Sequence, residues 1–212
     1  MQQKTSKLLF AYWNEVRAGE LAPQRFDIEP ARIAAILPET FILECVSTDT
    51  FRYRLAGTRI CEMFGRELRG SNLLDGWPDE DAITLERQLA CVVRQGPGLL
   101  LNFEASAAQG QPARFEALLL PLLHTRKVIA RILGGISVIQ PQPGWLGSER
   151  PVRRRLLAHD LVWPDGRPHS VVHALGRQSP FMPELSRARI VTSDRRRFRV
   201  LDGGLGKDPK SR

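Results

Sequence analysis

Residues 40–57 read TFILECVSTDTFRYRLAG, and residues 99–106, 113–123 and 128–140 read LLLNFEAS, ARFEALLLPLL and VIARILGGISVIQ. Apolar and basic residues alternate through Phe51-Arg52-Tyr53-Arg54-Leu55, the period of a half-buried antiparallel strand. Extended runs are expected at Thr40–Ser47 and Thr50–Ala56, joined by the polar turn Thr48-Asp49. Thr58–Phe64 then reads as a short apolar helix ending at Gly65. Asp79–Gln95 is a longer amphipathic helix with Ala82, Leu85, Leu89 and Val92 on one stripe, broken by Gly96-Pro97-Gly98. Leu99–Ser106, Ala113–Leu123 and Val128–Gln140 close the series as three further strands. Two strands, helices and three strands in that order predict an α+β fold, a five-stranded antiparallel sheet covered by helices.

Working outward, Thr5 or Ser6 is placed to cap a helix running to Ala18, with Gly19 ending it. Leu8, Leu9, Tyr12, Trp13 and Val16 share one face of that helix. Its large apolar groups must pack on the sheet or on a partner subunit. Glu29-Pro30 opens a second short helix, which Pro38 stops. Pro121 should sit at an edge or strand end because it has no N–H to give to a ladder, and Gly134-Gly135 predicts a bulge or a close backbone approach. Pro141-Gln142-Pro143-Gly144 marks a boundary, after which apolar residues follow no steady period. The organisation expected is a helical flank over residues 1–39, a core over 40–140 and a mostly irregular basic tail over 141–212, the alternative to a wholly irregular tail being a short segment that docks on the domain.

The 212-residue chain is 42% hydrophobic and 25% charged, the composition of a globular protein. No apolar run approaches the roughly 18–20 residues of a membrane span. The N-terminus has no signal-peptide core, so the expected location is the cytoplasm. Cys45, Cys61 and Cys91 have no C-x-x-C spacing and read as free thiols in apolar runs. Charge is uneven. Residues 150–212 carry 15 Lys and Arg against 6 Asp and Glu, whereas the preceding 149 residues are almost neutral. A basic tail on a neutral domain suits an acidic partner or simple solvation.

Several anchors occur together and in order: Trp13, Arg17 and Gly19; Pro23 and Arg25; Pro30; Leu37-Pro38; Phe51-x-Tyr53-Arg54-Leu55-Ala56-Gly57-Thr58; Phe64-Gly65-Arg66-Glu67-Leu68-x-Gly70; and Phe115-Glu116-x-Leu118-Leu119-Leu120-Pro121-Leu122. Over roughly residues 8–140 the chain resembles a family of short bacterial PAS proteins with no attached kinase or cyclase. The resemblance implies a PAS fold and a regulatory role as a sensor or signalling adaptor, acting through protein–protein contacts. It implies a homodimer as well, with Leu9, Tyr12, Trp13 and Val16 of the flanking helix as interface candidates. By the same analogy a small, unidentified ligand would lie among Ile60, Phe64, Phe103, Phe115 and Ile136, the alternative being a fully packed core.

Gly-x-Ser-x-Gly, Walker A and dinucleotide-binding patterns are absent, so no catalytic residue is assigned and no enzyme is expected. His124 stands at a strand end, poorly placed as a haem ligand, and Cys61 lies in the wrong context for a flavin adduct. His169 and His173 lack a third ligand nearby, so no metal and no cofactor is predicted. Glu104 and Glu116 read as strand-face carboxylates rather than a dyad. The second functional reading is a nucleic-acid- or phosphate-binding regulator acting through Arg153, Arg154, Arg155, Arg195, Arg196 and Arg197, since guanidinium forks suit phosphate.

Overall fold

The computed structural model describes residues 1–125 and 128–166. Its sheet has six antiparallel strands in the order β2-β1-β5-β4-β3-β6: β1 Thr40–Cys45, β2 Phe51–Ala56, β3 Gly98–Ser106, β4 Ala113–Thr125, β5 Val128–Ile139 and β6 Arg153–Val162. Helices α2 (Thr58–Met63) and α3 (Asp79–Gln95) lie between β2 and β3 in sequence. Helix α1 (Lys4–Arg17) and a kinked 3-10 helix over Pro30–Glu39 precede the sheet. The α+β plan expected from the sequence is therefore the plan observed, with one strand more than the sequence reading allowed.

Each face of the sheet carries an apolar core. On one face Leu85, Leu89 and Val92 of α3 and Ile60 and Met63 of α2 meet Leu99, Leu101, Phe103, Phe115, Ala117 and Ile136. On the other, Leu9, Tyr12 and Trp13 of α1 meet Leu100, Leu118, Leu120, Leu122 and Leu133. Strands buried on both faces must read as continuous apolar runs, which is why Leu118-Leu119-Leu120 has no alternation.

Local sequence explains the boundaries. Helix α3 ends on Gly96 in the left-handed region (φ 82°), whose N–H donates to the Val92 carbonyl. Asp79 occupies the first turn with Glu80 and Asp81, beside the positive end of the helix, while the capping position itself is Pro78. Helix α1 starts two residues earlier than a Thr5 cap would place it, with Gln3 as its cap and no side-chain capping bond. The Thr5 hydroxyl, taken from the sequence as a cap, donates instead to Glu39. The caps are supplied from the sheet: the Gln2 and Gln3 N–H groups donate to the Glu116 carboxylate at 2.7 and 2.9 Å.

Gly134-Gly135 is a close approach and not a bulge, for both residues keep register with β1 and β4. A Cβ on Gly134 would fall 2.0 Å from Cζ of Phe41, its cross-strand partner, and one on Gly135 would fall 3.2 Å from Leu9 of α1. Pro121 lies within β4 at a point where β3 has already ended, since the last β3 pairing there is Leu99 with Leu119. Strand β4 is thus an edge locally, which accommodates the missing N–H.

The region from Pro141 onward, expected to be mostly irregular with a docking segment as the alternative, contributes the strand β6. Arg153–Val162 pairs with the whole of β3, from Ser106 opposite Arg153 to Gly98 opposite Val162, with a bulge opposite Asn102-Phe103. Partly buried Leu156 and Leu161 pack on the α2/α3-side core. The α3 carboxylate Asp81 accepts the Leu156 N–H at 2.9 Å, tying the new strand to the start of the helix.

Candidate functional site

Between the sheet and the segment joining α2 to α3 lies a cavity of about 20 Å³, walled by Phe41, Tyr53, Phe64, Leu73, Trp77, Phe103 and Ile136 among others. That volume holds about one water molecule. The covering segment is pinned along the open edge of β2. Tyr53 N–H donates to the Ser71 carbonyl (2.9 Å), Gly70 N–H to the Tyr53 carbonyl (2.8 Å) and Leu73 N–H to the Phe51 carbonyl (2.9 Å). Asn72 reinforces it, its side-chain oxygen accepting the Phe51 N–H at 2.9 Å. Trp77 is held over the cavity by its indole N–H, which donates to the Leu73 carbonyl at 3.0 Å.

The wall is aromatic. Phe64 stacks on Phe115 (5.8 Å between ring centroids), Phe115 on Phe103 (5.0 Å), and Trp77 meets Phe103 edge-on (5.3 Å). Into this wall β6 sends one charged side chain. Arg154, opposite Ala105 of β3, places its guanidinium 5.1 Å from the Phe64 ring centre and 5.9 Å from that of Trp77. Both are cation–π distances. One Nη1–H donates to the Asp75 carbonyl at 2.9 Å. Arg66 lines the same cavity. Among the described residues neither arginine forms an ion pair, whereas Arg17, Arg32, Arg54, Arg59, Arg131 and Arg155 all do.

The electrostatics follow from that arrangement. Burial lowers the Arg154 pKa, and Arg66 pushes it the same way, with Tyr53 and Asp75 opposing. Burial also pushes the Tyr53 phenol up to about 12, so it stays protonated and can donate a hydrogen bond. No Asp or Glu lines the cavity. The site is a small apolar chamber with two cationic forks and a phenol on its rim.

Of the ligand candidates named from the sequence, Phe64, Phe103 and Ile136 line the cavity. Ile60 and Phe115 are fully buried in the core behind it. Sequence reasoning missed Tyr53, Arg66 and Trp77, and it named Arg154 as an anion-binding candidate of the tail and not as a cavity residue. The signal for Tyr53 was present in its inward register on β2, whereas Arg154 needed a strand that was not recognised. The arginine cluster proposed as an anion patch is divided by that strand. Arg153 and Arg155 are exposed on the other side, Arg155 lying 3.8 Å from Glu104, while Arg154 turns inward. Arg195, Arg196, Arg197, His169 and His173 lie outside the described residues. Among the described residues no three His, Cys, Asp or Glu side chains converge as a metal site.

The interface candidates are placed on the chain's own sheet. Leu9 and Trp13 are fully buried there, Tyr12 nearly so and Val16 partly, and the Trp13 indole N–H donates to the Pro121 carbonyl at 2.8 Å. Of the two destinations the sequence left for this face, the sheet is the one occupied. While α1 stays docked, Leu9, Tyr12 and Trp13 are not free for a partner. Glu104 and Glu116 do not form a pair either: Glu104 faces Arg114 across the strands, and Glu116 is buried beneath the start of α1.

Residues 1–137 match the PAS_5 family, described as a PAS domain. The chain belongs to this PAS family. Among solved structures, the crystal structure of the Rhodobacter sphaeroides LOV protein matches with a TM-score of 0.41 and 12% identity, over 54% of this chain and 70% of that one. No curated protein sequence matches. PAS domains are sensory and signalling modules, and no catalytic motif accompanies this one. Among the described residues no helix is long and apolar enough to cross a membrane. The PAS match ends at Ser137, so β6 and its inward arginine lie beyond the matched residues.

Proposed function

We propose that this PAS protein is a sensor or signalling adaptor in which the state of the core cavity reaches a partner through β6 and α1. The partner is a signalling protein or a second copy of the chain. One observation carries the reading: β6 and the turn that follows it touch both ends of the route. Arg154 enters the cavity near the start of the strand. Three residues beyond its end, Asp165 accepts an ion pair at 2.5 Å from Arg17, the buried last residue of α1. A shift of β6 is therefore felt at the helix that closes the opposite face.

Hydrogen exchange of the full chain tests this. Arg154→Ala should speed exchange in β6 and also at the α1 amides, Lys4–Arg17. Faster exchange confined to β6, with α1 unchanged, would remove the coupling and the reading with it.

A further inference from the structure

The two edges of the sheet are treated differently. The outer side of β2 is covered by the chain itself, through the backbone bonds of Tyr53, Gly70 and Leu73. The outer side of β6 has no such cover among the described residues. Arg154, Leu156, His159 and Leu161 stand opposite Ala105, Phe103, Leu101 and Leu99, on the α2/α3 side of the sheet. The Leu156 N–H leaves the ladder for Asp81, so this set turns its N–H and C=O groups outward. The alternate residues, Arg155 and Asp160 among them, turn theirs to β3. Among the described residues the bond to Asp81 is the one hydrogen bond made on the outer side. Most of the strand is exposed, Leu157 included. A ten-residue edge with open peptide groups is a template for another strand.

The strand is complementary to its own reverse. Laid antiparallel on a second β6 about a two-fold axis between Leu157 and Ala158, it brings Arg154 opposite Leu161 and Leu156 opposite His159. Outward peptide groups then meet outward ones along the whole strand. The bulge makes this possible. The extra residue, Leu157, shifts the outward set from even numbers to odd, and an unbulged strand would set outward groups against groups already bonded to β3. On the other face Arg155 comes opposite the exposed Asp160, twice by symmetry. Arg155 now has only a long contact with Glu104, at 3.8 Å. A uniformly acidic or basic partner would meet repulsion at one end, because β6 is basic at its start and acidic near its finish.

We infer that β6 is a docking edge for a second copy of this chain, paired antiparallel through Arg153–Val162 into one sheet running through both copies. The His159 carbonyl of the second copy takes the Leu156 N–H in place of Asp81. The inference rests on the sensory reading only for its partner, the second copy named there. The strand lies beyond the residues that match the PAS family, so the contact belongs to this chain's own extension.

Sedimentation velocity of the full chain tests it. A strand pair of this length is at the small end of stable interfaces, so the series runs to about 200 µM, over which the monomer should pass to a dimer. Arg155→Asp and Asp160→Arg each put like charges opposite one another at both symmetry-related sites, and each should weaken the dimer about tenfold or more. Mixed in equal amounts, the two variants set opposite charges at both sites and should associate about as well as the wild type. Circular dichroism checks that each variant is folded. Should either fail, Leu157→Lys decides, because it alters an exposed side chain and sets two ammonium groups beside the axis, which should abolish the dimer. A monomer at every concentration, a dimer unmoved by these substitutions, or variants that stay apart when mixed would overturn the inference. The first result would leave the edge to a different protein or to residues 167–212 of this chain. The coupling of β6 to α1 is read separately, by exchange in Arg154→Ala at a concentration where the chain is monomeric, so either reading can fail without the other.

Discussion

A methyl group at Gly134 would occupy the space of the Phe41 ring, whose Cζ lies 2.0 Å from the position the new carbon would take. Phe41 is itself fully buried and meets Tyr53 edge-on at 5.5 Å, so it has no free direction in which to retreat. Gly134→Ala should therefore destabilise the fold by about 1–3 kcal/mol, the usual range for overpacking a close-packed core. Urea unfolding reads the loss directly. Phe41→Leu combined with Gly134→Ala should recover part of it, and equal stability of the wild type and the single variant would show that the sheet yields there at no cost. The Gly-Gly pair was legible in the sequence as a place where backbone is approached closely. What approaches it was not, because Phe41 is brought opposite Gly134 only by a strand pairing across more than ninety residues.

At the scale of elements, α1 is fixed to the sheet by a stripe of apolar groups and by two hydrogen-bonded ends. Trp13→Ala removes a fully buried indole and its bond to Pro121, and should cost about 3–5 kcal/mol in urea unfolding. A smaller loss, near that of an exposed residue, would place Trp13 on a surface that another subunit covers. The helix's other end depends on Glu116. Burial works to raise this carboxyl's pKa, but the Gln2 and Gln3 N–H groups outweigh it and hold the pKa below its ordinary value of 4.5. A folded-state pKa below the unfolded one gives stability that is present above the unfolded value and is lost as pH falls through the folded value. Docking of α1 should thus hold at neutral pH and weaken below about pH 4.5, read as faster exchange of its amides. Glu116→Gln should lose about 1–3 kcal/mol at neutral pH and flatten the acid dependence. Persistence of the full acid dependence in that variant would assign it to other groups. The sequence made the apolar face of α1 plain through its helical spacing. Its destination depended on whether the sheet's second face was apolar, and the unbroken run Leu118-Leu119-Leu120 carried that information.

For the whole molecule, the sixth strand is the feature that the sequence concealed. RRRLLAHDLV, residues 153–162, does not alternate because its core-side face mixes Arg154 and an exposed His159 with Leu156 and Leu161, and the bulge shifts their spacing. An edge strand half open to solvent has little apolar content to display, so its period is faint even when its pairing is complete. The consequence is that Arg153–Val162, beyond the expected boundary, is part of the fold. Strand β6 covers the edge of β3, and Leu156 and Leu161 cover the core beside Leu99, Leu101 and Phe103. A chain ending at Gln140 should therefore melt at a lower temperature than the full chain and bind a hydrophobic dye at the uncovered core. Thermal unfolding of the two chains side by side decides the matter. Coincident melting would mean that β6 adds nothing to the stability of the PAS core and that the tail is separable, as its composition suggested. A lowered melting temperature would make β6 a structural member of the PAS fold, its cover on the β3 edge contributing to the stability of the core beneath.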